Sequence, residues 1–104
     1  MRIANHKIDA EIRALRPFTN YNATITAELD SRGVYRIVHW RTTILLFDTN
    51  TNRIMDLQVR YISQTTSTLV GRILRALPRD AVESFLPYIV TKHDFKRVRS
   101  MLRM

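Results

Sequence analysis

A run of hydroxyl-bearing residues stands immediately before an apolar helical pattern in the second half of the chain. Four of these residues lie where a strand is predicted to end and a helix to begin: Ser63, Thr65, Thr66 and Ser67. The unpaired backbone N–H groups and the dipole of a helix N-terminus favour a bound phosphate. The run is therefore a candidate anion-binding helix start. Simple capping of the helix, which needs only one such residue, is the alternative.

Two stripes of cationic side chains at helical spacing are the next candidates. Residues three and four positions apart share one face of a helix, and this spacing relates Arg72, Arg75 and Arg79. It also relates Lys92, Lys96, Arg99 and Arg103. A charged face is common on any surface helix, but two faces without interposed acidic residues favour contact with the phosphates of DNA or RNA.

The overall charge supports an anionic partner. The 104 residues carry a formal net charge of +8, and only three of the 17 cationic residues are lysine. Arginine forms bidentate contacts with phosphate and with carboxylate. We therefore expect binding to nucleic acid, and an acidic protein is the alternative partner. A codon bias toward arginine would produce the same composition without either function.

Residues for catalysis or metal binding are scattered. The chain has no cysteine, which excludes disulfides, thiolate ligands and cysteine nucleophiles. The three histidines, His6, His39 and His93, show no paired-ligand spacing. The sequence therefore predicts no catalytic residue, no metal site and no cofactor, and indicates a non-enzymatic protein.

Three aromatic residues accompany the predicted strands. Tyr35, Trp40 and Tyr61 are expected in the core, because aromatic residues in strands usually pack inward. Stacking on nucleic-acid bases is the alternative if they lie on an open sheet face.

The elements that must position these residues begin with a β-meander. Apolar and polar residues alternate from Tyr21 to Leu29, which is typical of a strand with one buried face. Further strands are predicted over 34–40, 43–47 and 53–60, with turns at 30–33 and 48–52 between them. The expected sheet is a four-stranded antiparallel meander spanning about 21–60.

Helices are predicted after the meander, over about 65–77, 80–90 and 92–103. Pro78 ends the first of them, and Pro87 predicts a break within the second. Together with the meander these helices indicate one α+β domain over residues 1–104.

A short N-terminal helix is predicted over 6–16, ended by Pro17. Ile8, Ile12 and Leu15 form a narrow apolar stripe on it. The stripe must dock either on the domain itself or on a partner, and a homodimer contact is one form of the second alternative.

The stretch from Tyr35 to Leu77 resembles small domains that bacteriophages and related mobile elements encode. An aromatic-x-threonine strand signature at Trp40–Thr42 and a Tyr-x-Ser-x-Thr-Thr-Ser helix start at Tyr61–Ser67 carry the resemblance. A basic or aromatic residue often follows this helix start in those domains, whereas Thr68 follows it here. The resemblance implies a phage-type accessory protein and, because those domains have no assigned activity, no particular chemistry.

The longest apolar runs fall far short of the roughly 20 residues of a membrane span. The N-terminus also lacks the apolar run of a signal peptide. We therefore expect a protein without membrane contact in the cytoplasm, which is the host cytoplasm if a phage encodes it.

Overall fold

The structure is a computed structural model that describes residues 2–58, 64–89, 96 and 98–100, except for the side chains of residues 64 and 65. One sheet contains six strands in sequence order: β1 (Arg2–Ile3), β2 (Phe18–Asn20), β3 (Ile25–Leu29), β4 (Val34–His39), β5 (Thr42–Asp48) and β6 (Arg53–Leu57). The β1 strand runs parallel to β2, and each later pair is antiparallel. The helices whose bounds the structure describes are α1 (Ile8–Arg13), α2 (Gln64–Ala76) and α3 (Arg79–Phe85). The predicted α+β class is confirmed.

The core lies between one face of the sheet and the helices. Along β4, Tyr35, Ile37 and His39 are buried, whereas Arg36 between them is exposed. This alternation follows from the two-residue period of a strand. Tyr35 is opposite Phe47 of β5, which is also fully buried.

The two best-described helices follow the predicted apolar pattern. The predicted face of α2 is buried throughout: Leu69, Val70, Ile73 and Leu74, together with Leu77 just beyond the helix. The next helix ends at Phe85, and a 3₁₀ turn over Leu86–Tyr88 follows it. The break predicted from Pro87 is therefore confirmed, because proline has no N–H to continue the helical ladder.

The N-terminal part of the sheet differs from the prediction. Two additional strands, β1 and β2, extend the meander, and Tyr21 to Thr24 form a turn instead of the start of a strand. Ala23 has φ 60°, in the left-handed region, which a strand does not permit. The apparent alternation at Tyr21 and Ala23 therefore reflects turn residues, and the regular strand begins only at Ile25.

The N-terminal helix is shorter than predicted and packs on its own domain. A 3₁₀ turn over Asn5–Lys7 leads into α1, which ends at Arg13, well before Pro17. Ile8 and Ile12 are fully buried and contact the same core as the sheet. The alternative that this apolar stripe docks on a partner or forms a homodimer contact is therefore wrong for these two residues.

Two turns meet at one end of the meander. Gly33, in the β3–β4 turn, has φ +85°, and a Cβ there would lie 2.7 Å from the Asn50 amide nitrogen of the β5–β6 turn. Asn50 donates a hydrogen bond to the Arg32 carbonyl oxygen at 2.8 Å. Because successive turns of an antiparallel meander alternate between its ends, the β2–β3 and β4–β5 turns share the opposite end.

The C-terminal segment is described only in part. Lys96 and residues 98–100 are helical, and Val98 is buried in the core, which agrees with the helix predicted over 92–103. Lys92, Arg103 and Tyr61 lie outside the described residues. Within the described part of the chain, no helix is long and apolar enough to cross a membrane.

Candidate functional site

An open groove of about 460 Å³ lies at the end of the sheet opposite Gly33. The 3₁₀ turn that contains Asn5 borders it, together with the β2–β3 turn and the end of β4. Thr68, Leu69 and Arg72 line it from α2. Its volume is within the range of roughly 300–1,000 Å³ typical of ligand sites. We call this feature the polar groove.

Asn20 organises one wall of the polar groove. It is 1% exposed, and its Oδ1 accepts hydrogen bonds from the backbone N–H groups of Thr24 at 2.8 Å and Ile25 at 2.9 Å. Its Nδ2 faces three oxygen acceptors, Asn5 Oδ1, Asn22 Oδ1 and Thr24 Oγ1, at 2.8–3.1 Å. One buried amide thus fixes both the β2–β3 turn and the 3₁₀ turn around Asn5.

His39, at the end of β4, also lines the polar groove. It is 7% exposed, and its Nδ1 lies 3.0 Å from Thr66 Oγ1. No residue that the structure describes hydrogen-bonds its second ring nitrogen, Nε2. Burial lowers the pKa of His39 below its ordinary value of 6.5, because it disfavours the charged form of the ring.

Arg72 closes the polar groove from α2. Its Nε donates to Asp9 Oδ1 at 2.8 Å, and its Nη2 donates to the Asn5 carbonyl oxygen at 2.6 Å. The guanidinium therefore ties α2 to the N-terminal segment. Its charge is balanced locally by Asp9, which it contacts directly.

Two exposed aromatic side chains stand beside the polar groove. Tyr21 is 77% exposed and Trp40 is 71% exposed. Their turns are adjacent, because the Trp40 backbone N–H donates to the Thr24 carbonyl oxygen at 2.7 Å. The Trp40 ring centroid lies 6.3 Å from that of His39. We call this end of the molecule, comprising Tyr21, Trp40 and the polar groove, the aromatic end.

The expectation that Trp40 packs in the core is wrong. Tyr35 is buried as expected, and its hydroxyl donates to the Arg16 carbonyl oxygen at 2.8 Å. Trp40 occupies the two-residue turn between β4 and β5 with φ 58°. A bulky residue in the left-handed region is a backbone outlier, and such outliers concentrate at functional sites.

The cationic stripes carry acidic partners that the sequence pattern did not show. Besides Arg72, Arg79 lies 3.1 Å from Glu83, and Arg99 lies 3.8 Å from the same carboxylate. Arg75 and Lys96 are exposed. The first stripe therefore does not form one uncompensated cationic face, because carboxylates contact two of its three arginines.

The predicted hydroxyl cluster is only partly brought together. The Thr66 hydroxyl is buried against His39, and Ser67 is half-buried. Ser63 and the Thr65 side chain lie outside the described residues. The part of the cluster that the structure describes therefore contributes a buried hydroxyl that holds His39, not a row of hydroxyls facing solvent.

Among the residues that the structure describes, no three histidine, aspartate or glutamate side chains are grouped so that they could hold a metal ion. The polar groove brings together residues that the sequence did not single out, chiefly Asn20 and Asn22. Asp9, the partner of Arg72, was not singled out either. The one sequence signal was Asn20-Tyr21-Asn22, because asparagine at this density is typical of turns.

A pH-dependent stability is expected from the burial of His39. Its folded pKa is lowered, so on acidification the unfolded chain binds a proton first, near pH 6.5, and the folded state is disfavoured. Stability is therefore fully present above about pH 6.5 and declines as the pH falls toward the folded pKa. Urea denaturation at pH 7.5 and pH 5.0 should show a larger loss for the wild type than for His39→Gln. Equal losses would mean that His39 does not contribute.

Neither a family model, a curated protein nor a solved structure matches this chain. The resemblance of Tyr35–Leu77 to phage-encoded domains therefore stays a prediction. The proposed function is based on the aromatic end itself.

Proposed function

We propose that this protein binds single-stranded nucleic acid at the aromatic end, without catalysis. The observation that supports the proposal is the exposure of Tyr21 and Trp40 on two adjacent turns beside the polar groove. Exposed aromatic rings are platforms for nucleic-acid bases, and each stacked base contributes about 1–3 kcal/mol of binding free energy.

Cationic residues flank both aromatic side chains. Arg2 is exposed, and its Nη1 donates to the Tyr21 carbonyl oxygen at 3.4 Å. Arg41 follows Trp40 in the same turn and is also exposed. Guanidinium groups next to stacking rings suit a strand whose phosphates alternate with its bases. The net charge of +8 would attract that strand from a distance.

A single strand is favoured over a duplex, because the faces of paired bases are covered by their neighbours in the stack. The helical stripes, Arg72, Arg75 and Arg79 and then Lys92, Lys96, Arg99 and Arg103, remain a proposed second contact with the backbone. They are the weaker candidate, since Arg72, Arg79 and Arg99 each lie within 4 Å of a carboxylate.

The fluorescence of Trp40 reports binding at the aromatic end directly, because Trp40 is the only tryptophan in the chain. Stacking of a base on its ring should quench its fluorescence when 12-nucleotide single strands of DNA or RNA are added at low salt. Binding should weaken as the salt concentration rises, because neutralised phosphates release their counterions. A duplex of the same length should quench less.

Replacing either aromatic residue should reduce affinity strongly. Tyr21→Ala and Trp40→Ala are each expected to weaken single-strand binding about 5- to 150-fold, the equivalent of 1–3 kcal/mol. Tyr88→Ala is the matched control, because Tyr88 is 73% exposed and lies in the 3₁₀ turn after α3. Fluorescence anisotropy with labelled strands measures all three variants. Equal losses in all three would contradict a specific role for the aromatic end.

The combined variant Lys96→Gln and Arg99→Gln tests the helical alternative. If the second stripe makes the main contact, this variant should lose more affinity and more salt dependence than Trp40→Ala. If no single strand binds at low salt, the proposed function is wrong. A pull-down from nuclease-treated lysate is a further check. Capture of an acidic protein by the wild type, by Trp40→Ala and by the Lys96→Gln and Arg99→Gln variant alike would also contradict the proposal.

A further inference from the structure

The polar groove presents hydrogen-bond donors whose orientation is fixed from behind. Asn20 Nδ2 engages the side-chain oxygens of Asn5 and Asn22, so the amino group of each outer asparagine is turned away from that contact. Within the described part of the chain, neither amino group donates a hydrogen bond to protein. Both residues line the polar groove, so their amide N–H groups can donate to a ligand bound there.

His39 adds a third polar atom. Its Nδ1 is engaged by Thr66, which leaves Nε2 as the remaining hydrogen-bonding atom of a side chain that is nine-tenths buried and lines the polar groove. In the tautomer that donates from Nδ1 to the Thr66 hydroxyl, Nε2 is an acceptor. This is the tautomer that the inference uses, and it places an acceptor beside the amide donors.

The charge and the apolar lining narrow the class of ligand. The Arg72 charge is balanced by Asp9 at 2.8 Å, and burial disfavours a charge on His39, so the polar groove does not concentrate positive charge. Ile25 and Leu69 supply apolar lining, and the Trp40 ring stands close by. A flat, neutral ring with carbonyl oxygens suits this environment better than a phosphate does, because phosphate needs charge compensation.

The geometry points to the polar groove as a pocket for one unstacked keto base, such as uracil, of the bound single strand. Base carbonyl oxygens accept from the amide nitrogens of Asn5 and Asn22, and the ring N–H between the carbonyls donates to His39 Nε2. Cytosine fits less well, because an amino group replaces one carbonyl and its ring nitrogen is an acceptor. The inference rests on the proposed function and adds base selectivity to it.

The test compares oligo(dU) and oligo(dC) of 12 nucleotides, which share ring size and backbone and differ in this polar edge. Wild-type protein is expected to bind oligo(dU) about 10-fold more tightly, within the roughly 1–3 kcal/mol that a well-placed pair of base contacts contributes. Equal, measurable binding of both strands would overturn the pocket and leave the proposed function standing. Binding of neither strand would overturn both.

A variant pair connects the selectivity to the polar groove. Asn22→Asp keeps the oxygen that Asn20 engages but replaces the amide donor with an acceptor, so the dU-to-dC affinity ratio should fall to near one. Ser31→Asp adds the same charge at the opposite, exposed turn and should keep the wild-type ratio. Comparing the dU-to-dC affinity ratios cancels the loss of affinity that the added negative charge causes in both variants. A ratio unchanged in Asn22→Asp would overturn the inference.

Discussion

Replacing Ile12 with alanine is expected to reduce the free energy of unfolding by about 2–5 kcal/mol. Ile12 is fully buried between α1 and the rest of the core, so truncation leaves a cavity as well as losing apolar burial. The effect should reach the aromatic end, because α1 carries Asp9, the partner of Arg72. Urea denaturation monitored by far-UV circular dichroism measures the change.

Ile12→Val is the matched control and should cost only about 0.5–1.5 kcal/mol, since it removes a single methyl group. The unfolding midpoint should not depend on protein concentration in either variant. A loss for the alanine variant no larger than that for the valine variant would mean that Ile12 is not packed in the core. A midpoint that rises with concentration would mean that a second chain completes the N-terminal stripe.

Asn20→Ala should be the most damaging polar substitution, with an expected cost of about 2–4 kcal/mol. The change leaves the backbone N–H groups of Thr24 and Ile25 without their acceptor, and a buried group without its partner costs about 1–3 kcal/mol. It also releases the side chains of Asn5 and Asn22 that form the wall of the polar groove. Single-strand binding should therefore weaken even at temperatures where the variant stays folded.

Asn22→Ala is the comparison, because Asn22 is exposed and supplies an oxygen acceptor only at the surface. Its cost in unfolding free energy should stay within about 0.5 kcal/mol, as is usual for surface positions. If the two alanine variants lose the same stability in urea denaturation, Asn20 does not organise the turn.

The sequence predicted α2 and the helix break at Pro87 well, because their signals are local. Pro87 removes a backbone donor at a fixed position, so the helix break after Phe85 followed from chain chemistry alone. The buried face of α2 followed from apolar residues at helical spacing, which only one side of a helix can collect. The strands from Ile25 to Leu57 followed in the same way from alternation and from their turn residues.

The N-terminal strands and the polar groove could not be predicted from such patterns. The β1 and β2 strands contain two and three residues. Strands this short cannot show a recognisable alternation of apolar and polar residues. The turn at Tyr21–Thr24 depends on Asn20, whose side chain replaces a strand partner for two backbone N–H groups. Side-chain hydrogen bonds of this kind leave no periodic trace in a sequence.

By itself, the sequence determined the α+β class, the order of the main elements, the excess of cations and the lack of cysteine, since all of these depend on composition or on neighbouring residues. Only the tertiary structure decided that Arg72 carries an acidic partner, because Asp9 and Arg72 are 63 residues apart in the chain. It also decided that Trp40 is exposed. Tyr35, Ile37 and His39 face the core, so the two-residue period of a strand places residue 40 on the other side, and the chain turns there with φ 58°.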